Sequence, residues 1–135
     1  MAFRFSTVLR NNMASQIQST VAAAGTATMQ LRLYSGTEPA NPAAAVGGSD
    51  VLLCTITLPA SFLTSTGGAT AKAGTWSGTG SASGTAAYFR VYDMAGTPVC
   101  HLQGNVTSDL VLDNPSIASG QQVTINSFTV TIGNA

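Results

Sequence analysis

AAYFRVYDMAGTPVCHLQGNV, residues 86–106, is the stretch that decides the fold. Its first half alternates two kinds of side chain, with Phe89 and Val91 between Tyr88, Arg90 and Tyr92. A Gly-Thr-Pro turn follows, and then a second short apolar run. Alternation at period two on both sides of a turn is typical of antiparallel strands. We therefore predict strands at 86–93 and 98–106, with Phe89 and Val91 in the core.

The rest of the chain after the first quarter repeats this pattern of short β-rich runs divided by Gly, Pro, Asn and Ser. Further strands are predicted near 28–34, 51–58, 69–77, 109–113 and 121–132. In the last of these, a regular strand would place Val123 and Ile125 on one side and Phe128 on the other. We therefore predict a bulge at Asn126-Ser127 that returns Phe128 to the core. Many short strands of this kind indicate a mainly β protein, either a sandwich or a barrel.

One segment near the N-terminus has helical periodicity instead. Its apolar residues recur about every four positions, at Val8, Leu9, Met13, Ile17 and Val21. Ser6 or Thr7 is a suitable N-cap and Gly25 a suitable stop, which predicts one helix of about four turns. We assign residues 1–24 to an N-terminal arm and helix and residues 25–135 to the β-sandwich, within a single domain overall.

Composition excludes two classes of partner. Charged residues make up 7% of the 135 residues, and five basic side chains balance five acidic ones. The basic residues are scattered singly and form no stripe, so we expect no nucleic-acid binding. The N-terminus has no apolar run long enough for a signal peptide or a membrane span, so we expect a chain made and kept in the cytoplasm, without membrane contact.

The adjacent Cys100 and His101 raise the question of a reaction centre. In the predicted strand, Cys100 and Leu102 fall on one face and His101 on the other, so the thiol and the imidazole point apart. No second histidine exists to replace His101. Cys54 and Cys100 are too few for a disulfide framework and lack the spacing of a zinc site, and we interpret both as reduced, small apolar core residues. We predict no catalytic residue, no metal and no cofactor.

Two other motifs contain residue types that can carry chemistry. Asp109 and Asp113 flank Leu-Val-Leu and point to the same side of the predicted strand, and paired carboxylates serve glycoside chemistry or calcium binding. The favoured interpretation is a polar boundary around two core leucines, with Asp113-Asn114-Pro115 starting a turn. The glycine-rich run at 78–84 lacks the Lys-Ser/Thr and the helix that a phosphate-binding loop needs, so it is interpreted as a flexible turn.

Aromatic and cationic side chains form the remaining candidate site. GTATMQLRLYSGTEP at 25–39 and GTAAYFRVYDMAGTP at 84–98 share the order of their Arg, Tyr, Gly-Thr and Pro residues. Either the two stretches are similar turn entries, or each places an Arg and a Tyr on one face of a sheet. The predicted contact surface comprises Tyr88, Arg90, Tyr92 and Trp76, together with Phe3 and Phe5 on an N-terminal arm that must dock on a neighbour or on the sandwich itself.

The chain also resembles a known family. STVLRNNMASQI (6–17), LRLYSGTEPANPAA (31–44), GTWSGTGSASGTAAYFRVYD (74–93) and LDNPSIASGQQVTINSFTVTIGNA (112–135) together resemble the small jelly-roll cement, or decoration, proteins of tailed-bacteriophage heads. The resemblance spans almost the whole chain. It implies a jelly-roll-like antiparallel β-sandwich without catalytic residues that decorates and clamps the major capsid protein.

The function expected from this resemblance is that of a structural virion protein on the outer surface of the capsid. Its expected partners are the major capsid protein and further copies of itself, as a dimer or trimer. Two alternatives stay open at this point: a tail- or fibre-associated virion protein, and a carbohydrate-binding β-sandwich that stacks sugars on residues such as Trp76.

Overall fold

A computed structural model describes residues 4–21, 29–94 and 97–131. It has one helix and eleven strands: α1 (Thr7–Val21), β1 (Met29–Tyr34), β2 (Leu52–Leu58), β3 (Leu63–Thr66), β4 (Ala69–Lys72), β5 (Ser77–Thr79), β6 (Gly84–Thr85), β7 (Tyr88–Asp93), β8 (Val99–Asn105), β9 (Leu110–Leu112), β10 (Ser116–Ile117) and β11 (Gln122–Thr131). The predicted class is confirmed: the chain is mainly β, with antiparallel sheets, a single N-terminal helix and a sandwich-like arrangement.

Two sheets enclose the core. The first has the strand order β2-β1-β7-β8. The second has the strand order β3-β4-β11-β5, and β9 also pairs with β11. A short ladder of β6 and β10 lies outside both sheets. Alternate residues of β1 and β7, such as Leu31, Leu33, Phe89 and Val91, point between the sheets and are buried.

One side of the sandwich is closed by backbone contacts. Cys54 of β2 forms a bridge with Gly80, and the Ser81 amide donates to the Leu53 carbonyl at 2.7 Å. Glycine is required at position 80, because a Cβ there would collide with the carbonyl oxygen of Ala118. The predicted core position of Cys54 is confirmed, whereas Cys100 is only half-buried.

The predicted bulge in the last strand is confirmed. Ile125 pairs with Leu112 and Ser127 with Val111, so Asn126 is the extra residue. Val123, Ile125 and Phe128 are all buried as a result. The predicted strand at 69–77 is wrong in one respect: it is split into β4 and β5, because Gly74 adopts a positive φ of 74° and Trp76 turns into the core.

Helix α1 packs against β3 and β4 through polar contacts as well as apolar ones. The Leu63 amide donates to the Gln18 side-chain oxygen at 2.7 Å, and the Gly68 amide to that of Asn11 at 2.6 Å. Ala14 and Val21 are its buried residues, whereas Val8 and Leu9 are exposed. The apolar residues of α1 therefore do not all face the core, because those of its first turn face solvent. Across the described ranges, no helix has the length and apolar character needed to span a membrane.

Candidate functional site

The outer face of the first sheet carries a cluster of tyrosines and arginines. It consists of Arg32 and Tyr34 from β1 and Tyr88, Arg90 and Tyr92 from β7, and we call it the Tyr–Arg cluster. The strands are in register so that Arg32 lies opposite Arg90 and Tyr34 opposite Tyr88. The last two rings stack with centroids 5.1 Å apart. The two similar sequence stretches therefore meet as neighbouring strands, and their residues form one face.

Arg90 is the most enclosed member of this cluster, with 3% of its surface exposed. Its guanidinium donates to the carbonyl oxygens of Asn41 (3.2 Å) and Ala44 (2.7 Å) and to the Gln103 side-chain oxygen (3.1 Å). Gln103 in turn donates to the Pro39 carbonyl at 2.6 Å. Arg90 and Gln103 thus hold the 39–44 segment against the sheet.

Arg32 contacts the same cluster from the neighbouring strand. Its guanidinium donates to the Gln30 side-chain oxygen at 3.0 and 3.2 Å and lies 4.7 Å from the centroid of the Tyr92 ring. Neither Arg32 nor Arg90 has a carboxylate partner among the described residues. Both cations are stabilised instead by neutral oxygens and, for Arg32, by an aromatic face.

Burial raises the pKa values of two phenols in the cluster and of the Cys100 thiol beside it. It raises the pKa of the Tyr88 phenol, and the hydrogen bond from that phenol to the Asp50 carboxylate at 2.8 Å raises it further. Burial likewise raises the pKa of Tyr34, with a contribution from the Tyr92 hydroxyl. It also raises the pKa of the Cys100 thiol by more than the nearby Arg90 lowers it. These groups are therefore neutral at pH 7.

The prediction that Tyr88, Arg90 and Tyr92 form a contact surface is wrong. All three side chains are buried within the chain itself. The physical reason is the 35–51 segment, which is tied across this face by the hydrogen bonds of Arg90 and Gln103 and by the Asp50–Tyr88 bond. The cluster is therefore an internal polar layer that fixes a long loop.

Trp76 was also predicted to be a contact residue, and this prediction is wrong as well. The side chain has no exposed surface. Its ring packs between Phe62 and Phe128, with centroid distances of 6.0 and 5.3 Å, and its N–H donates to the Ala73 carbonyl at 3.0 Å. A sugar cannot stack on a ring that is enclosed in this way. Of the two predicted arm residues, Phe5 is half-buried and Phe3 lies outside the described residues.

Cys100 and His101 do not form a reactive pair. Tyr92 pairs with Cys100 and Val91 with Leu102, so His101 is an extra residue in β8. Because of this bulge, the prediction that Cys100 and Leu102 share a face is wrong. Cys100 lines a cavity with Arg90 and Tyr92, whereas His101 lines a different one beside α1 and lies 3.9 Å from the Asp93 carboxylate.

The two aspartates flanking β9 are engaged in local backbone bonds. Asp109 accepts from the Asn105 amide at 2.8 Å, and Asp113 accepts from the amides of Asn114 (2.8 Å) and Thr124 (3.3 Å). These bonds fix turns at the two ends of β9. Within the described ranges, no three His, Cys, Asp or Glu side chains are grouped so that they could hold a metal ion.

The sequence analysis did not predict two exposed apolar surfaces. The first is the solvent-facing side of α1, where Val8 is 70% and Leu9 45% exposed. The second is an apolar groove along the outer edge of β8, which consists of two cavities that share Leu102. The sequence does show Val8 and Leu9 as adjacent apolar residues at the start of the helix. It gives no sign of the groove, because the groove depends on how the two sheets meet.

Comparison with known proteins gives no identification. The chain matches no family model, and no curated protein or solved structure is significantly similar to it.

Proposed function

We propose that this chain is a structural virion protein that decorates and cements a tailed-phage capsid by binding the lattice of the major capsid protein. The observation that carries this proposal is the exposed face of α1. Its exposed residues are Thr7, Val8, Leu9, Asn12, Ser15, Gln16, Ser19 and Thr20, and none of them is charged. Surface helices normally present charged residues to water, so an uncharged face that begins with two exposed apolar side chains favours a protein contact.

The neutral composition supports the same role. A protein that is fixed to a lattice does not need charge repulsion to stay apart from its neighbours, and this chain has a net charge of zero. Each contact on α1 is small. Because many copies bind a repeating shell, and oligomeric copies engage several sites at once, weak contacts add up to stable attachment.

In this proposal the chain is made in the host cytoplasm and joins the outer surface of the assembled capsid as a homo-oligomer. Its chemistry is adhesive and not catalytic. The buried Tyr–Arg cluster contributes by holding the long 35–51 loop against the sheet, so that the protein presents a fixed surface to the shell.

A binding assay on undecorated heads tests the proposal. Heads assembled from the major capsid protein of the same genome are mixed with the wild-type chain or with the double variant Val8→Ser/Leu9→Ser. Loss of two apolar side chains from the contact weakens it by about 2 kcal/mol, so we expect at least a tenfold higher concentration for half-occupancy. Bound copies are counted after sedimentation of the heads.

The matched control is Val111→Ser, which removes a comparably exposed apolar side chain from β9 and should bind as the wild type does. Binding of hundreds of copies over the shell supports the cement role. Binding of a few tens of copies at one vertex or on the tail would favour the tail-associated alternative. No binding to heads or tails by the wild-type chain would overturn the proposal.

A further inference from the structure

A cavity of about 330 Å³ lies where residues 42–44 of the long loop meet the start of β8. Its lining residues in 42–44 and 98–100 are exposed or half-buried, whereas Arg90 and Tyr92, which also line it, are buried. We call it the Arg90 cavity. It is open to solvent, so a small molecule can reach a cation that the protein otherwise encloses.

The Arg90 guanidinium has one end without a close acceptor among the described residues. Its Nε donates to Gln103 and its Nη2 to two loop carbonyl oxygens. The partner of Nη1 is the Tyr92 hydroxyl at 3.5 Å, beyond the usual range of about 2.7–3.2 Å for an N–H···O hydrogen bond. Nη1 carries two N–H groups, and a buried charged donor gains stability from a close acceptor. An acceptor that enters the cavity beside Arg90 and Tyr92 can supply it.

The charges around the cavity favour an anion. Arg90 lies directly opposite Arg32 on β1, and like charges in that position destabilise a sheet. Among the described residues neither arginine forms an ion pair, and the Asp50 carboxylate contacts the cluster at the Tyr88 phenol. Arg90 is also the one charged residue in the lining of the cavity. An anion in the cavity is therefore attracted by Arg90 and reduces the repulsion between the two cations.

The rest of the lining selects the kind of anion. Apart from Arg90, Tyr92 and Cys100, it consists of proline, alanine and valine residues. A hydrated inorganic ion gains nothing from such walls, whereas a carboxylate with a short apolar tail buries the tail against them. The volume also lies within the range of about 300–1,000 Å³ that is typical of small-molecule sites. Guanidinium groups bind carboxylates strongly, because both partners of the hydrogen bond are charged.

We propose that the Arg90 cavity binds a small organic carboxylate, with the acid group beside Arg90 and Tyr92 and the apolar tail against residues 42–44 and 98–99. The ligand contacts both the long loop and β8, so occupancy stabilises the loop against the sheet. It also covers the Cys100 thiol, which shares the lining. The site is separate from the exposed face of α1, and the inference does not depend on capsid binding.

Titration of the wild-type chain with sodium butyrate tests the proposal. Nuclear magnetic resonance follows the Arg90 Nε–H signal, with sodium chloride at the same ionic strength and the neutral analogue butyramide as references. We expect a saturable shift with butyrate and at least a tenfold weaker response to butyramide, which lacks the charge. Butyrate at saturation should also slow the alkylation of Cys100 by iodoacetamide at least threefold. Cys54 has no exposed surface, so this rate reports on Cys100.

Variants place a competing carboxylate inside the cavity. Cys100→Asp should weaken butyrate binding at least tenfold, whereas Cys100→Asn, which has the same shape without the charge, should weaken it less than threefold. Val111→Asp makes the same change of charge on exposed β9 and should bind butyrate as the wild type does. Near-ultraviolet circular dichroism of each variant should retain the Trp76 signal.

Three results would each overturn the proposal. The first is the absence of a saturable shift when butyrate is added to the wild-type chain. The second is an equal response to butyrate and to chloride, which would indicate a general effect of ionic strength. The third is a folded Cys100→Asp protein that binds butyrate as tightly as the wild type does.

Discussion

Arg90 shows how a single buried cation can be retained without an acidic partner. Its guanidinium donates hydrogen bonds to two loop carbonyl oxygens and one side-chain amide oxygen at once. This requires the several N–H donors of a planar guanidinium group. Arg90→Lys keeps the charge but cannot reproduce these bonds. We expect it to lower the free energy of unfolding by about 2–4 kcal/mol, measured by urea denaturation, and to increase amide exchange in residues 41–44.

Arg4→Lys is the matched control, because Arg4 is exposed and the same exchange there should change stability by less than about 0.5 kcal/mol. An Arg90→Lys protein as stable as this control would show that the loop is held by other contacts.

The raised pKa values of four buried or half-buried phenols and thiols predict a loss of stability in alkali. Tyr34, Tyr88, Cys54 and Cys100 all have folded-state pKa values above their ordinary values, mainly through burial. The unfolded chain therefore loses these protons first. Stability from these groups is complete below about pH 8.5 and falls as the pH rises past the ordinary thiol and phenol values of about 8.5 and 10.

Urea unfolding at pH 8, 9, 10 and 10.5 measures this fall, and absorbance at 295 nm follows tyrosine ionisation in the same samples. The slope above pH 10 should be shallower in Tyr88→Phe, which has no phenol to ionise at that site. A free energy of unfolding that stays constant up to pH 10.5 would contradict the assignment of Tyr88 as a buried neutral group.

At the scale of the element, the bulge in β11 determines which side chains reach the core. Without the extra residue Asn126, every later side chain of β11 would point to the opposite face of the sheet. Deletion of Asn126 should therefore expel Phe128 from its contacts with Trp76 and Phe89 and cost about 3–5 kcal/mol. The free energy of unfolding and a red shift of Trp76 fluorescence report the change.

Asn126→Ala provides the comparison, because it keeps the extra residue and the Asn126 side chain is exposed. That substitution should have a much smaller effect on both measurements. A deletion with no larger effect than the substitution would indicate that β11 can shift its register without loss.

Elements with strong local patterns were predictable from the sequence. The bulge at Asn126 was predictable because the apolar residues of the last strand change from one side of the strand to the other. The alternation of apolar and polar residues located β1, β2, β7 and β8 near their observed positions. The short strands β3, β6 and β10 were missed, because two to four polar or small residues become strands only through pairing with distant partners. The bulge at His101 was missed for a similar reason, since no change in apolar parity marks it.

At the scale of the whole molecule, the sequence identified the Tyr–Arg cluster but not its burial. Alternation places Tyr88, Arg90 and Tyr92 on one side of a strand, yet it cannot say what covers that side. The cover comes from residues 46 to 49 positions away, whose carbonyl oxygens Arg90 binds. A contact surface therefore has to be sought where such cover is absent, as on the exposed face of α1.

The small number of charges in the whole molecule predicts how its binding responds to salt. Exposed ion pairs are screened over about 8 Å at physiological ionic strength, whereas apolar contacts and backbone hydrogen bonds are not. Since the exposed face of α1 carries no charge, the proposed capsid contact should respond little to salt, and we expect occupancy in the head-binding assay to change less than twofold between 20 and 150 mM NaCl. A contact made by several exposed ion pairs would weaken steeply over the same range. Counting copies on sedimented heads distinguishes the two cases, and loss of binding by 150 mM NaCl would refute an uncharged contact.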